Sequence, residues 1–216
     1  MAAADATPKQ FLLLAGKPVL CRAVDAFAAH NEVTGIIVVC PAEFESKTQA
    51  VLKDYNCEKV ISVVAGGDTR QASSFNGIKA LACDADDIVL IHDAARPFVS
   101  ETTITDCIVK TKFCGAAAAY VPVTDTVTEI RDGLVVAVLQ RDNLFFAQTP
   151  QGFKYSIIRN AHELAIERGE YDATDDIALV LASGAKAAAS GGAAENFKIT
   201  TQQDYERACR IADNSK

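Results

Sequence analysis

Short β-branched runs alternate with helical stretches along the first half of this chain, and the alternation limits the folds that it can form. The apolar runs cover residues 36–40, 60–64 and 88–92. The spacing of apolar residues predicts helices before and between these runs, over residues 18–30, 43–53 and 70–82. Parallel strands need a crossover connection, which is usually a helix. The pattern therefore predicts an α/β, Rossmann-like fold with a doubly wound, mostly parallel sheet.

The second half of the chain continues this pattern. Ser100 is a candidate N-cap for a helix that ends before Gly115, and residues 116–121 form a candidate strand. Thr174 is a candidate cap for a later helix, and Thr201 and Asp204 have capping-box spacing. Further helices are predicted over residues 154–168, 175–183 and 201–212, and a short strand over residues 197–200. Residues 148–151 are predicted to end another strand.

One hairpin interrupts the alternation. Residues 126–130 and 134–139 flank the turn Arg131-Asp132-Gly133, and a glycine in the turn between two such runs is typical of a β-hairpin. Excursions of this kind commonly pack on a neighbouring subunit. We therefore expect an arm over about residues 124–141 and a homodimer held partly by it. The alternative is a hairpin that lies back on its own domain.

Length, charge and cysteine content narrow the class of protein. A chain of 216 residues is enough for one sizeable domain, and we take residues 1–216 as a single domain. The net charge of -7 argues against a nucleic-acid partner. No apolar run approaches the roughly 20 residues of a membrane span, so no membrane partner is expected. The seven cysteines are scattered without a C-x-x-C pair, which favours free thiols and a cytoplasmic location.

Polar residues follow two of the predicted strands. Asp93 comes directly after the run 88–92, at the strand end where open α/β sheets bind ligands. A charged surface turn is the alternative. Gly67 and Asp68 lie between a predicted strand and a helix, where glycine lets backbone amides approach an anion or a base edge. Ser73, one turn into that helix, would face the same crevice. The alternative is a plain tight turn with Asp68 as the helix N-cap.

Three of the cations outside the predicted helices are candidate site residues. Lys198 falls in a predicted strand between Phe and Ile, which suggests an ammonium group that faces a site rather than an edge-strand lysine. Lys9 is either a site residue or a solvated loop charge. Arg141 supplies a fork suited to phosphate, or else pairs with Asp142 or Glu129. With no recognisable nucleophile or metal cage, this set of residues suits phosphoryl or nucleotidyl transfer, which depends on positioning and charge neutralisation.

Seven short motifs occur in the order seen in the 2-C-methyl-D-erythritol 4-phosphate cytidylyltransferase family, and together they cover essentially the whole chain. They are Pro8-Lys9-Gln10-Phe11, Gly66-Gly67-Asp68-Thr69-Arg70, His92-Asp93-Ala94-Ala95-Arg96-Pro97, Asp125-Thr126-Val127, Gln148-Thr149-Pro150-Gln151, Ala173-Thr174-Asp175-Asp176 and Asn196-Phe197-Lys198-Ile199-Thr200. The chain resembles this family, which implies transfer of a cytidylyl group from CTP to the sugar-alcohol phosphate with release of pyrophosphate. The enzyme for ribitol 5-phosphate shares most motifs and is the alternative; a nucleotide-binding relative with impaired catalysis is another.

The resemblance also implies roles for individual residues. Lys9 would neutralise charge on the phosphates in the transition state, and Arg141 and Lys198 would hold the methylerythritol phosphate. Arg141 would reach in from the partner subunit's arm together with Thr126. The residues that match nucleotide-binding positions are Gly67, Asp68, Ser73, Asp93 and Thr149. Asp93 would also lie beside Mg²⁺, the expected cofactor, on the triphosphate.

The chain departs from the family at its start. The family begins with a strand and a glycine-rich loop that ends in an Arg-Met pair, and Met1 falls on that Met. The strand lies between those that match residues 36–40 and 88–92, so its absence would leave two edges unpaired. The resemblance therefore implies a longer natural gene product, and little or no cytidylyltransferase activity for these residues alone.

Overall fold

A computed structural model of the chain describes residues 8–214. The strands are β1 (Leu13–Leu14), β2 (Lys17–Pro18), β3 (Ile36–Cys40), β4 (Val60–Ala65), β5 (Ile88–Ile91), β6 (Ala116–Pro122), β7 (Thr128–Arg131), β8 (Leu134–Val138), β9 (Phe145–Lys154) and β10 (Ala188–Gly191). The helices are α1 (Val19–Ala28), α2 (Glu45–Asp54), α3 (Arg70–Lys79), α4 (Glu101–Cys114), α5 (Tyr155–Glu167), α6 (Asp176–Ala182) and α7 (Gln202–Asn214). The α/β class predicted from the alternation is confirmed.

The strands form two main sheets. A 4-stranded sheet has the order β10-β6-β9-β5, and β3 pairs with β4 in parallel. In the larger sheet β9 runs antiparallel to both of its neighbours, while the other strands share one direction. Within residues 8–214, β3 is paired with β4 only and β5 with β9 only. The two edges that the resemblance expects to be unpaired are therefore unpaired here. The expected match of Met1 lies outside the described residues.

Local capping sets several helix ends as the sequence predicts. The Ser100 hydroxyl accepts the Thr103 amide at 3.2 Å, and Gly115 ends α4 with a φ of 88°. This left-handed conformation favours glycine. At α7 the Thr201 hydroxyl accepts the Asp204 amide at 3.1 Å, while the Asp204 carboxylate accepts the Thr201 amide at 2.8 Å. Both halves of a capping box are present.

Three local predictions are wrong. Thr174 does not cap α6; the Asp175 carboxylate does, since it accepts the Ala178 amide at 2.8 Å. Residues 197–200 form no strand, because that segment is held by single bonds such as Ile199 N to Ala95 O rather than by a ladder. Residues 148–151 lie in the middle of β9 instead of at its end. The long antiparallel pairing of β9 with β6 carries the strand past them.

The hairpin arm forms as predicted, from β7 and β8. Among the described residues these two strands pair only with each other. Several of their apolar side chains are exposed, including Leu134 at 69%, Val138 at 67% and Val135 at 64%. The arm thus presents an apolar surface instead of packing it against its own domain.

Candidate functional site

A cavity of about 240 Å³ lies between the C-terminal end of β3 and the residues that follow β5. Lys9, Asp93 and Lys198 contribute to its wall, and the other lining residues are Gln10, Leu20, Val38, Val39, Cys40, Pro41, Thr48, Ala94 and Ala95. The structure therefore brings together three site residues predicted from distant parts of the sequence. They meet where an open α/β sheet is expected to bind ligands.

Asp93 is the carboxylate of this cavity. The Lys198 Nζ lies 3.1 Å from its Oδ2, and the Arg96 Nε lies 3.3 Å from the same oxygen. Burial raises the pKa of Asp93, but the charge and hydrogen bond of Lys198 and the charge of Arg96 outweigh it and bring the pKa below its usual value. Asp93 is therefore an ionised group with a cation on the cavity side.

A chain of hydrogen bonds holds the turn after β5. The Asp93 amide donates to the Thr149 hydroxyl at 3.1 Å, and that hydroxyl lies 2.9 Å from His92 Nδ1. His92 Nε2 lies 3.0 Å from the Arg96 carbonyl oxygen, which only accepts. The ring is therefore a neutral donor at Nε2 and an acceptor at Nδ1. Burial lowers the pKa of His92 to about 4, which agrees with a neutral ring.

Lys198 reaches Asp93 from an irregular segment fixed by side-chain hydrogen bonds. Arg96 Nη1 donates to the Asn196 carbonyl at 2.8 Å, and the fully buried Asn196 donates from Nδ2 to the Thr149 carbonyl at 2.8 Å. Neither Arg96 nor Asn196 was predicted from the sequence as a site residue. Arg96 lies in the same motif as Asp93, and Asn196 in the same motif as Lys198. This shared position was the signal that could have identified them.

The glycine turn joins β4 to α3 beside the cavity. The Gly66 amide donates to the carbonyl of Cys40, a cavity residue, at 2.8 Å, and the Gly67 amide donates to the Ser73 hydroxyl at 3.1 Å. A Cβ on Gly67 would lie 2.5 Å from the Ala72 Cβ, so this position needs glycine. Thr69 caps α3, which leaves the exposed Asp68 without that role. Gly67 and Ser73 thus lie together as predicted, next to the cavity but not among its lining residues.

Arg141 and Thr126 lie in the arm, and neither lines the cavity. Both residues are exposed, and Arg141 Nη1 donates to the Thr124 carbonyl at 2.9 Å. Glu129, one of the alternative partners of Arg141, pairs with Arg131 instead. The structure of this chain therefore does not bring Arg141 to Lys9 and Lys198.

The residues around Asp93 fit a metal ion carried by a substrate. Among residues 8–214 no group of three or more His, Cys, Asp or Glu side chains could hold a metal ion. Mg²⁺ in phosphate-transfer sites is usually bound through one or two carboxylates together with substrate phosphates. Asp93 supplies one such carboxylate, so the donor set suits a magnesium–triphosphate complex better than a resident metal cage.

The charges around the cavity suit phosphate chemistry. Lys9 and Lys198 place two cations around one cavity, and the turn at Gly67 places the N-terminus of α3 beside it. Such a set can bind a polyphosphate and stabilise charge that develops on it.

None of the helices in the described part of the chain is both long and apolar enough to cross a membrane.

Comparisons with known proteins agree with this geometry. A family model described as 2-C-methyl-D-erythritol 4-phosphate cytidylyltransferase matches residues 2–213. The enzyme of that name from Desulforamulus reducens is 43% identical over 198 residues, which cover 91% of this chain and 84% of the relative. The one from Syntrophotalea carbinolica is 40% identical over 206 residues, 95% of this chain and 88% of the relative.

Solved structures are similar as well. The crystal structure of 2-C-methyl-D-erythritol 4-phosphate cytidylyltransferase from Thermus thermophilus matches with a TM-score of 0.82 and 33% identity, over 96% of this chain and 95% of that one. The 4-diphosphocytidyl-2C-methyl-D-erythritol synthase of Anaerococcus prevotii matches with a TM-score of 0.85 and 30% identity, over 98% of this chain and 93% of that one.

Proposed function

Since the chain belongs to the 2-C-methyl-D-erythritol 4-phosphate cytidylyltransferase family, we propose that it transfers a cytidylyl group from CTP to 2-C-methyl-D-erythritol 4-phosphate. A phosphate oxygen of the sugar alcohol attacks the α-phosphorus of CTP, and the bond to pyrophosphate breaks. The observation that carries this proposal is the meeting of Lys9, Asp93 and Lys198 at one cavity beside the glycine turn. Reactions of this class need positioned cations more than a covalent nucleophile.

The proposed roles are those that the family resemblance implies, and the position of each residue supports them. The ammonium group of Lys9 neutralises charge on the triphosphate as the pentacoordinate phosphorus forms. Gly67, Asp68 and Ser73 bind the cytosine and ribose, because the turn lies beside the cavity at the N-terminus of α3. Lys198 binds the phosphate of the sugar alcohol. In the free protein its charge is balanced by Asp93.

Magnesium is the proposed cofactor, with Asp93 as its protein ligand and Thr149 beside it. When bound, Mg²⁺ neutralises the triphosphate and polarises its oxygens. Thr149 acts on Asp93. Its hydroxyl accepts the Asp93 amide at 3.1 Å and so fixes the backbone of the residue that would bind the metal.

We also propose a homodimer in which Arg141 and Thr126 complete the partner's site. The arm's exposed apolar side chains support this, since a large exposed apolar patch is typical of an interaction surface. So does the position of Arg141 away from the cavity of its own protomer. A cytoplasmic location is likewise proposed, because all seven cysteines are free thiols, which persist in reducing compartments.

The relatives favour methylerythritol phosphate over ribitol 5-phosphate as the substrate, since those we compared bear the methylerythritol name. The deciding experiment incubates the chain with CTP, Mg²⁺ and either sugar phosphate, and identifies the CDP-linked product by mass spectrometry. We expect product, formed slowly, with methylerythritol phosphate. Product with ribitol phosphate alone would contradict the proposal, as would a chain that binds no CTP in calorimetry. The rate of turnover is measured separately, and its expected low value stays a prediction.

A further inference from the structure

The motif Ala173-Thr174-Asp175-Asp176 has no place in the chemistry described so far. Asp175 caps α6 and is only partly buried. Asp176, the first residue of α6, is different because its side chain is 0% exposed. A fully buried carboxylate needs partners to offset the loss of water. The partners of the Asp176 carboxylate show which elements of the fold it connects.

Asp176 joins four elements of the fold. Its Oδ1 accepts the Ser74 hydroxyl at 2.8 Å and lies 3.0 Å from His162 Nε2, and its Oδ2 lies 2.8 Å from Arg70 Nη1. The Asp176 amide donates to Gln151 Oε1 at 3.1 Å. Arg70 and Ser74 belong to α3, His162 to α5 and Gln151 to β9. The carboxylate therefore ties the start of α3 to the body of the domain.

The first turn of α3 is held from two sides. On one side the Ser73 hydroxyl accepts the Gly67 amide at 3.1 Å, and its own proton can go to the Thr69 carbonyl at 2.9 Å or to the Gly67 carbonyl at 3.2 Å. On the other side Gln71 Nε2 donates to the Glu170 carbonyl at 2.8 Å, and Gln71 Oε1 accepts the Ala173 amide at 3.0 Å. The contacts of Asp176 lie on this second side. The turn that carries the nucleotide-binding residues is thus attached, through one helical turn, to the segment 170–176.

A buried ion pair is weak evidence for stability, because replacing both partners by apolar groups is often neutral or stabilising. A buried ion pair can instead hold the groups around it in one geometry. Burial raises the pKa of Asp176, but the hydrogen bond from His162 and the charge of Arg70 outweigh it, so the pKa is lowered and the group is ionised. Phe75 stacks on the His162 ring at 5.1 Å and 4°, which fixes the orientation of that donor.

We infer that Asp176 is a positioning residue: together with Arg70 and Ser74 it holds the first turn of α3 so that Gly67 and Ser73 meet the cytosine base in one geometry. The inference rests on the proposed function, since that function assigns the turn to cytosine. Asp176 acts through the helix and does not touch the nucleotide. Its loss should therefore weaken the choice between bases more than it weakens nucleotide binding in general.

The test compares Asp176→Asn with Asp175→Asn and Asp175→Ala. Calorimetry with Mg²⁺ gives the Kd of CTP and of UTP for each variant. The ratio of the two Kd values is the informative quantity. Partial unfolding weakens the binding of CTP and UTP equally, so its effect cancels in the ratio. We expect Asp176→Asn to reduce the preference for CTP by about tenfold, which corresponds to about 1.4 kcal/mol. Asp175→Ala removes the cap of α6 and should lower Tm without changing the ratio, and Asp175→Asn should change neither.

Arg70→Gln provides a second route to the same answer if Asp176→Asn does not fold. The Arg70 side chain is 35% exposed, so its replacement disturbs the core less, while it removes one α3 contact of Asp176. A reduced CTP preference in Arg70→Gln supports the inference. A wild-type ratio in the folded variants would overturn it. A wild-type chain that binds CTP and UTP equally would instead remove the proposed function, and this inference with it.

Discussion

Lys198 Nζ lies 3.1 Å from Asp93 Oδ2, although 105 residues of sequence separate them and Lys198 belongs to no strand or helix. The pair places a cation and a carboxylate on the wall of one cavity. In the proposed reaction, Lys198 turns to the phosphate of the incoming sugar alcohol, and Asp93, which keeps Arg96 as a partner, would then hold a metal ion with its carboxylate.

Lys198→Ala should therefore reduce the kcat/KM for methylerythritol phosphate, by about 10²-fold as for other removed charge contacts in active sites. The Kd of CTP should change much less, because the proposed role concerns the second substrate. Product formation by mass spectrometry and CTP calorimetry measure the two quantities. Lys186→Ala, at an exposed lysine outside the cavity, serves as the control. An equal loss of affinity for both substrates would count against the assigned role.

Arg141 should act in the partner's site. Arg141→Ala and Lys198→Ala should each abolish most product formation alone. When the two variants are mixed and allowed to exchange subunits, half of the dimers carry one intact site, so about a quarter of the wild-type rate should return. A mixture as inactive as its parents would show that Arg141 acts within its own protomer or not at all. Sedimentation of each variant verifies that dimers form.

Gly67→Ala should weaken CTP binding by about tenfold, about 1.4 kcal/mol. The added Cβ would lie 2.5 Å from the Ala72 Cβ and would push the turn away from the start of α3. Gly191→Ala is the matched control, because its Cβ would meet only the Asp106 carboxylate, at 3.6 Å. Calorimetry with CTP distinguishes the two, and equal affinities in both variants would refute the role of the turn.

The protein should lose stability as the pH falls from 6.5 towards 4. His92 has a pKa lowered to about 4, chiefly by burial, and a value of 6.5 when unfolded. In this window the unfolded chain binds a proton that the folded chain does not, so the free energy of unfolding decreases by up to about 1.4 kcal/mol per pH unit. Protonation at Nδ1 also removes the acceptor of the Thr149 hydroxyl.

Urea unfolding at several pH values measures this dependence. His92→Gln cannot titrate, so its stability should vary less with pH in the same window, whatever its absolute value. Asp93 and Asp176 also have lowered pKa values and make the protein less stable at acid pH, but below their unfolded value of 3.8. Identical slopes for wild type and variant above pH 4 would show that His92 does not cause the effect.

Sequence alone was sufficient for features that depend on neighbouring residues. The alternation of β-branched runs and helical stretches predicted the α/β class, and the caps at Ser100, Gly115 and Thr201 were predicted because each involves residues within four positions. The positions of Lys9, Asp93 and Lys198 outside the predicted helices marked them as candidates, and the seven motifs identified the family.

Tertiary structure decided what depends on distant contacts. The direction of β9 follows from its pairing with β5 and β6, which no local pattern encodes. Lys198 reaches Asp93 because the Asn196 and Ile199 backbones bond to the turn after β5, not because residues 197–200 form a strand. The role of Asp176 was equally hidden. Two adjacent aspartates look alike in a sequence, and only burial beside Arg70, Ser74 and His162 separates the one that joins four elements from the one that caps a helix.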